Sequence, residues 1–562
     1  MRTSLLSRVF AVALVGAGCR PSTPSVAPVS AGTQPAITPA DLQRRLFLIA
    51  DDSLMGRETG SEGAFKASAY VAAEFKRLGL EPAGDAGTYF QTVPFWIVTP
   101  DVQSRLTASN GTSLRLGTDF LPVSFAAPPR TLDQASVVYA GSQADTGRLI
   151  PPTQLVGKFV VIDVPPPPRG DRRAVGALLG RYRDAAGIGI VALEQLGNEQ
   201  IARVREGRPV ADTARNARAL SLVWLSRRAA SALLGADPAT LTPGTSVGTV
   251  SGYFDFSRKP VPFTARNVVG ILRGRDPALR NEYVSLSAHH DHVGFDRNPV
   301  DHDSLRAFNR VVRPMGADSP MRPATEEENY KIRVILDSLR AVHRPRPDSI
   351  RNGADDDGSG TVAILEIAEA FAREGQRPRR SILFVSHTGE EAGLLGSRWY
   401  SDHPTVPIDS IVGEIDQDMI GRGTASDFPR GGTGAGSQTY LEVIGAKRIS
   451  REFGELLEAA NAKQPVPFVF DYTYDQPGHP LQYYCRADHY SYARYGIPSV
   501  AFSRGEHLDY HQVTDEAQYI SYPDLARVTQ MVHDGALAIA NAPVRPKRDV
   551  PKPTDPNAPC RQ

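Results

Sequence analysis

Cysteine is nearly absent from this chain, with three in 562 residues, at positions 19, 485 and 560. That excludes a small fold knitted by a disulfide framework, which needs many cysteines in a short chain. An excess of one charge is lacking too: 63 Lys and Arg face 62 Asp and Glu. So even a balance removes any composition-level pull toward nucleic acid or an anionic membrane surface. Past the N-terminus there is no apolar run long enough to span a bilayer, and no internal repeat. What is present is an ordinary globular composition, 41% hydrophobic and 22% charged. At this length one core is not enough, so two domains, or one elaborated domain, are expected.

Residues 1–19 read as a processing segment. Arg2 and Arg8 lead into apolar residues 9–15, followed by Gly16, Ala17, Gly18 and Cys19. This is the layout of an export signal, too short to persist as a transmembrane helix. The small residues before Cys19 resemble a bacterial lipoprotein box, which implies a lipid anchor on that cysteine, although Gly16 stands where leucine is preferred. Residues 20–38, rich in Pro, Ser and Thr, would then tether the protein to the membrane. The expected location is outside the cytoplasm: anchored at the bacterial envelope, periplasmic or secreted. Export permits a disulfide between Cys485 and Cys560, and free thiols suit the sequence equally.

Thr38-Pro39-Ala40-Asp41 predicts an N-cap with proline in the first turn, and so a helix to about residue 50. A second helix is expected over 64–78, stopped by Gly79. Residues 89–98 are strand-like, with Pro94 marking an edge or a break. The texture changes over 121–257. Lys158 to Asp163 and 188–193 read as buried strands, 174–186 and 226–234 as helices, forming a smaller β-rich α/β module inserted into a larger domain. That larger domain would comprise 39–120 and 258–545, with 546–562 as a flexible tail. From 265 onward near-continuous apolar strands alternate with helices. This predicts an α/β fold with a mainly parallel sheet covered on both faces. A long interruption over 295–348 breaks the rhythm, with a capping box at Thr325 and Glu328 opening a helix. The insert is expected near the mouth of the sheet.

In open α/β sheets, functional groups gather beyond the carboxyl ends of strands. Four expected strands here end in potential metal ligands. One runs into His289-His290-Asp291-His292, a second into Glu390-Glu391, a third into Asp416 and Asp418, and the last into a loop with His507, Asp509 and His511. Between the first two lies Gly353-Ala354-Asp355-Asp356-Asp357-Gly358-Ser359-Gly360, an acidic loop opening a helix. Each feature alone reads more simply as a loop, a helix cap or surface charge. Together, imidazole and carboxylate suit zinc.

At these residues the chain resembles the zinc aminopeptidases and carboxypeptidases of peptidase family M28. The resemblance includes Gly56-Arg57-Glu58-Thr59-Gly60-Ser61, Leu78-Gly79-Leu80-Glu81-Pro82-Ala83-Gly84, the stretch from Ser287 to Gly294, the acidic loop, Glu390 to Ser397, Asp418-Met419-Ile420-Gly421, Asp488-His489, Gly496-Ile497-Pro498 and Tyr510-His511. It implies a zinc-exopeptidase type of fold and two Zn2+ ions. His289 and Asp418 would hold one ion, Glu391 and His511 the other, with Asp356 bridging them. Asp291 would orient His289, and Glu390 would act as general base on a water shared by the two metals. The remaining candidates read as supporting residues: His290 and His292 as loop or second-layer groups, Asp355 and Asp357 as shaping the turn, Asp416 as a non-ligand, and His489 as structural. His387 has no assigned role. The 121–257 module resembles the protease-associated domain that many members carry, which implies restricted access to the site and no catalytic residue.

The activity implied is removal of N-terminal amino acids from peptides. A carboxypeptidase or dipeptidase is the alternative within the family, given the arginines in the 295–348 insert, and a glutaminyl cyclase fits less well. A catalytically dead, receptor-like protein on the same fold is the alternative of another class. It predicts lost ligands, whereas every ligand and base position here holds a competent residue.

Overall fold

The structure, a computed structural model, describes residues 32–562 apart from 124–129, 165–177, 179, 212–220, 321, 374, 376, 425–426, 428–435 and 559. The expected export signal, Cys19 and most of the expected 20–38 linker lie outside the described residues, as does part of the helix expected over 174–186. Among the described residues no helix is long and apolar enough to cross a membrane.

The larger domain begins with helix α1 (Pro39–Ile49), whose N-cap Thr38 accepts a hydrogen bond from the Asp41 amide, and α2 (Glu62–Arg77). The strand-like stretch after them is split at Pro94 into Phe90–Thr92 and Phe95–Pro100. Past the inserted module come β1 (Arg266–Leu272) and β2 (Tyr283–His289). The next insert carries α3 (His302–Val312) and α4 (Glu326–Arg340). After it follow α5 (Gly360–Arg373), β3 (Ser381–His387), α6 (Leu395–Asp402), β4 (Ile411–Gln417), β5 (Tyr440–Ile444), α7 (Arg451–Asn461), β6 (Val469–Asp471), α8 (His489–Ala493), β7 (Ser499–Ser503) and α9 (Tyr522–Asn541).

The fold is mixed α/β. Across the main sheet the order is β1-β3-β2-β4-β7-β5-β6, with the short strands Glu81–Pro82 and Phe90–Thr92 beside β1. The parallel reading holds for the centre, β3-β2-β4-β7. It fails at the flanks, where β1 pairs antiparallel with β3 and β5 antiparallel with β7, while β6 runs parallel to β5. Alternation along the strands shows why two helical layers are needed. Val268 and Leu272 of β1, and Ile382 and Phe384 of β3, pack into the core formed with α1, α2, α5 and α9. Val269, Ile271, Leu383 and Val385 point the other way, onto Tyr400 of α6 and Tyr492 of α8. A strand buried on both faces leaves no polar positions to show a period of two.

The inserted module has its own eight-stranded sheet and two cores of its own. Its sheet includes Arg105–Ala108 and Phe120–Val123, so it starts earlier in the chain than the expected boundary at 121. A three-stranded sheet of Phe95–Pro100, Arg208–Ala211 and Phe256–Pro260 joins it to the larger domain. The 295–348 insert is rooted by pairing of Phe295–Asp301 with Pro347–Ile350, and its Thr325–Glu328 capping box is formed. Residues 546–562 differ from the flexible tail expected. Cys485 and Cys560 form a disulfide. The Asp549 amide donates to the Ile449 carbonyl at 2.8 Å, and the Gln562 side chain bonds the Tyr484 amide at 3.0 Å.

One buried ion cluster fastens the two N-terminal helices to α5. Arg45 of α1 is fully buried, bonded to Glu366 at 3.0 Å and also to Glu74 and Glu369. Removing one partner from a buried cluster strands the others without water or countercharge, at a cost of about 3–5 kcal/mol. Arg45→Met is therefore expected to lower the unfolding free energy of the larger domain, measured by urea titration, by that order. A loss below about 1 kcal/mol, as for an exposed pair, would show that the cluster does not fasten the helices.

Candidate metal centre

The central parallel strands deliver their loops to one edge, and the candidate residues converge there. His289 is the last residue of β2. Glu390 and Glu391 follow β3, Asp418 follows β4, and His511 lies in the loop after β7. Asp355, Asp356 and Asp357 lie in a single wide turn, Ala354–Ser359, leading into α5. Gly360 is required where that turn meets the sheet: a Cβ there would lie 1.9 Å from the Gln417 carbonyl oxygen.

Two groups of donor atoms form, and they share Asp356. On one side His289 Nε2 lies 3.3 Å from Asp356 Oδ1 and 3.8 Å from Asp418 Oδ1. On the other, His511 Nε2 lies 2.9 Å from both Asp356 Oδ2 and Glu391 Oε1. The five residues expected as ligands are thus brought together. His292, read from the sequence as a loop or second-layer residue, joins the second group: its Nδ1 is 2.9 Å from Glu391 Oε1 and 3.7 Å from Asp356 Oδ2.

The donor set fits a divalent cation. His289 Nε2, His292 Nδ1, Asp356 Oδ2, Glu391 Oε1 and Asp418 Oδ1 are all buried without a hydrogen-bond partner. Leaving so many polar atoms unpaired is costly unless something charged lies between them. The titration behaviour agrees. Burial opposes charge on His511, yet Glu391 and Asp356 raise its pKa to about 10. Burial also opposes ionisation of Asp356, but His289 and His511 hold it well below the usual carboxylate range. The pocket demands positive charge, and mixed imidazole and carboxylate donors suit zinc.

Each donor has a support. His289 Nδ1 donates to the Asp291 main-chain carbonyl at 3.0 Å, which turns Nε2 toward Asp356 and Asp418. The Asp291 carboxylate, expected to do this, lies 3.8 Å from Nδ1 and instead accepts from the Thr59 hydroxyl at 2.8 Å and the Glu390 amide at 3.2 Å. It ties the strand end to the Glu390 loop. Asp355 and Asp357 accept backbone amides of Gly421 and His289, shaping the turn as expected. Asp416 faces away, accepting from Ser287 at 3.0 Å and from the His489 amide at 3.3 Å. His290 bonds Ser386, and His387 lies under the sheet beside Tyr492, its pKa lowered to about 3 by burial.

Several supporting residues had no role assigned from the sequence. Arg57 is fully buried, and its guanidinium donates to the carbonyls of His290, Ile49, Asn352 and Gly353, clamping two donor loops together. Its place in the Gly56–Ser61 motif was the available signal. Asp515 accepts the amides of Asp355 and Asp356 at 3.0 and 3.2 Å. Arg422 bridges Asp509 and Asp515. From the insert, Arg306 pairs with Asp509 at 3.1 Å, Asn309 donates to the Leu508 carbonyl at 3.0 Å, and the Ala317 amide donates to the Tyr510 carbonyl at 2.9 Å. The loop carrying His511 is therefore held from the insert side.

With this geometry in hand, comparison with known proteins is direct. The sequence profile of peptidase family M28 matches residues 267–536. Over these residues, just under half of its length, the chain is similar to peptidase family M28. It is 28% identical over 217 residues to a probable zinc metalloprotease of Pyricularia oryzae, covering 34% of this chain and 43% of that protein. It is 32% identical over 200 residues to leucine aminopeptidase 1 of Penicillium rubens, covering 34% of this chain and 48% of that one. The chain thus spans under half the length of these curated relatives. Among solved structures it aligns with an aminopeptidase from Aneurinibacillus sp. strain AM-1 at 18% identity and a TM-score of 0.46, covering 92% of this chain and 96% of that chain.

If the insert positions the His511 loop, Arg306→Ala should weaken zinc uptake about 10-fold while the far-ultraviolet circular dichroism stays unchanged. Competition with a chromophoric chelator reads this directly. An unaltered affinity would detach the insert from the metal centre.

Proposed function

We propose that this protein is a two-zinc aminopeptidase of family M28 that removes N-terminal residues from peptides. The observation that carries the reading is Asp356, one carboxylate whose two oxygens face two separate donor groups. His289 and Asp418 would hold one ion, Glu391 and His511 the other. Bound zinc would polarise the scissile carbonyl and acidify a water beside it.

The remaining chemistry belongs to Glu390. Its carboxylate lies 4.0 Å from His289 Nε2, at the open edge of the centre, and its amide is fixed by Asp291. From there it takes a proton from the attacking water and passes it to the departing amine, the work of a general base and then a general acid. The names of the curated relatives favour an N-terminal substrate. Four of the insert's arginines, Arg306, Arg322, Arg340 and Arg346, are paired with carboxylates of the protein. The inserted module, which we read as protease-associated, reaches the insert through Arg203 and Asp296 at 3.1 Å and through Glu206 and Arg297. In that reading it would limit which peptides approach. The Cys485–Cys560 disulfide suits the oxidising compartment that the export signal implies.

Glu390→Gln should keep its full complement of zinc while turnover of aminoacyl-4-nitroanilides falls by roughly 10²–10⁴; turnover within a few-fold of the parent protein would remove Glu390 from the reaction. Substrate polarity is tested separately. Peptides with a free N-terminus should be cleaved whether or not the C-terminus is amidated, and N-acetylated ones should not. The reverse pattern would establish the carboxypeptidase instead.

A further inference from the structure

The metal centre contains one imidazole more than the proposed mechanism uses. His292 is 1% exposed, and neither of its ring nitrogens has a hydrogen-bond partner. An imidazole buried in that state forfeits the hydrogen bonds that water would give it, so hydrogen bonds do not explain its position. The surroundings hold it there all the same. Its backbone amide donates to the Arg57 carbonyl at 3.0 Å, and its ring meets that of His511 edge-on with centroids 5.4 Å apart. On the opposite side the chain narrows to Gly353, at φ +54°, where a Cβ would stand 2.5 Å from His292 Cγ. The ring occupies space that only glycine leaves open, and it directs Nδ1 at Glu391 and Asp356.

The distances have a simple meaning. Donors around one tetrahedral zinc at about 2.0–2.1 Å lie roughly 3.3 Å from one another. The four imidazole-to-carboxylate separations among His292 Nδ1, His511 Nε2, Glu391 Oε1 and Asp356 Oδ2 are 2.9 to 3.7 Å, and all four atoms lie within 4.8 Å of one another. We propose that His292 is a direct ligand, completing a four-residue set with His511, Glu391 and Asp356. The inference rests on the two-zinc reading and adds an asymmetry to it. One ion is closed by protein donors, as in a structural zinc site, and serves to fix Asp356 and the local charge. The other, held by His289, Asp418 and Asp356, keeps the open position that a substrate needs. Glu390 stands on that open side, 4.0 Å from His289 Nε2.

The test uses the full-length protein and zinc itself. Zinc binding to the metal-stripped protein is titrated against a competing chelator for the parent, for His292→Phe, which keeps the ring's bulk, and for His292→Asn. The parent should take up two ions, one much more tightly. Both variants should lose the tight ion's advantage by at least about 10-fold and keep the weaker ion unchanged. X-ray absorption of the zinc-loaded parent, which needs no variant, should show three imidazoles shared by two ions instead of two. Two ions bound with unaltered affinities in both variants, or only two imidazoles in the parent, would overturn the assignment and leave the two-zinc reading intact. A parent that binds a single ion, lost on substitution of His292, would support the ligand and refute the two-ion count. A single ion retained in the variants, or no ion in the parent, would defeat both.

Discussion

Everything near the active edge of this protein is arranged around one carboxylate that must face two ways. Asp356 presents Oδ1 to His289 and Oδ2 to His511. A side chain does this only if its backbone is fixed by other means, because an aspartate free to turn would settle on one partner. The fixing comes from below. Asp515 takes the amides of Asp355 and Asp356, and the neighbouring Asp357 takes those of His289 and Gly360. The acidic loop is thus held by carboxylates accepting main-chain protons, which leaves the middle carboxylate uncommitted.

Such a concentration of buried acid needs countercharge, and the chain supplies it in two kinds. Arg57 and Arg422 provide permanent charge behind the donors. Arg57 donates to carbonyls alone, so it neutralises by proximity while leaving the ligand carboxylates free. Arg422 is spent on Asp509 and Asp515, the supports one layer back. No arginine or lysine is bonded to Asp356, Glu391 or Asp418 among the described residues. That division reserves the front of the pocket for exchangeable cations, and buried charges elsewhere are satisfied before they can compete.

The sequence displayed the strand ends and the residue types, and these located the centre. His289, Glu391, Asp418 and His511 each lie at or beyond the end of an apolar strand, which marked them as candidates, and the resemblance to family M28 supplied the roles expected of them. The supports were less legible because their partners are backbone atoms contributed by remote segments. Arg57 binds carbonyls at 290, 352 and 353, and no spacing rule connects those positions. His292 was hard to place for a similar reason: an imidazole three residues after His289 looks like a loop group until the Gly353 backbone is seen to make room for it. The antiparallel flanks were hidden as well, since a strand buried on both faces reads the same in either direction.

The insert is the clearest case of a structural need met from outside the core. His511 has a φ of 55°, a left-handed conformation that costs a side-chain-bearing residue roughly 1–2 kcal/mol. A loop leaving β7 would relax that strain by drifting from the donors. It is held because the insert engages the residues just before it: Arg306 at Asp509, Asn309 at Leu508, Ala317 at Tyr510. An insert that opened as a free lid would break those bonds and carry His511 with it. The same insert meets the inserted module through Asp296 and Arg297, so a continuous set of contacts runs from the module to a metal donor. Interactions made by the module at its own surface are therefore mechanically closer to His511 than their distance along the chain suggests.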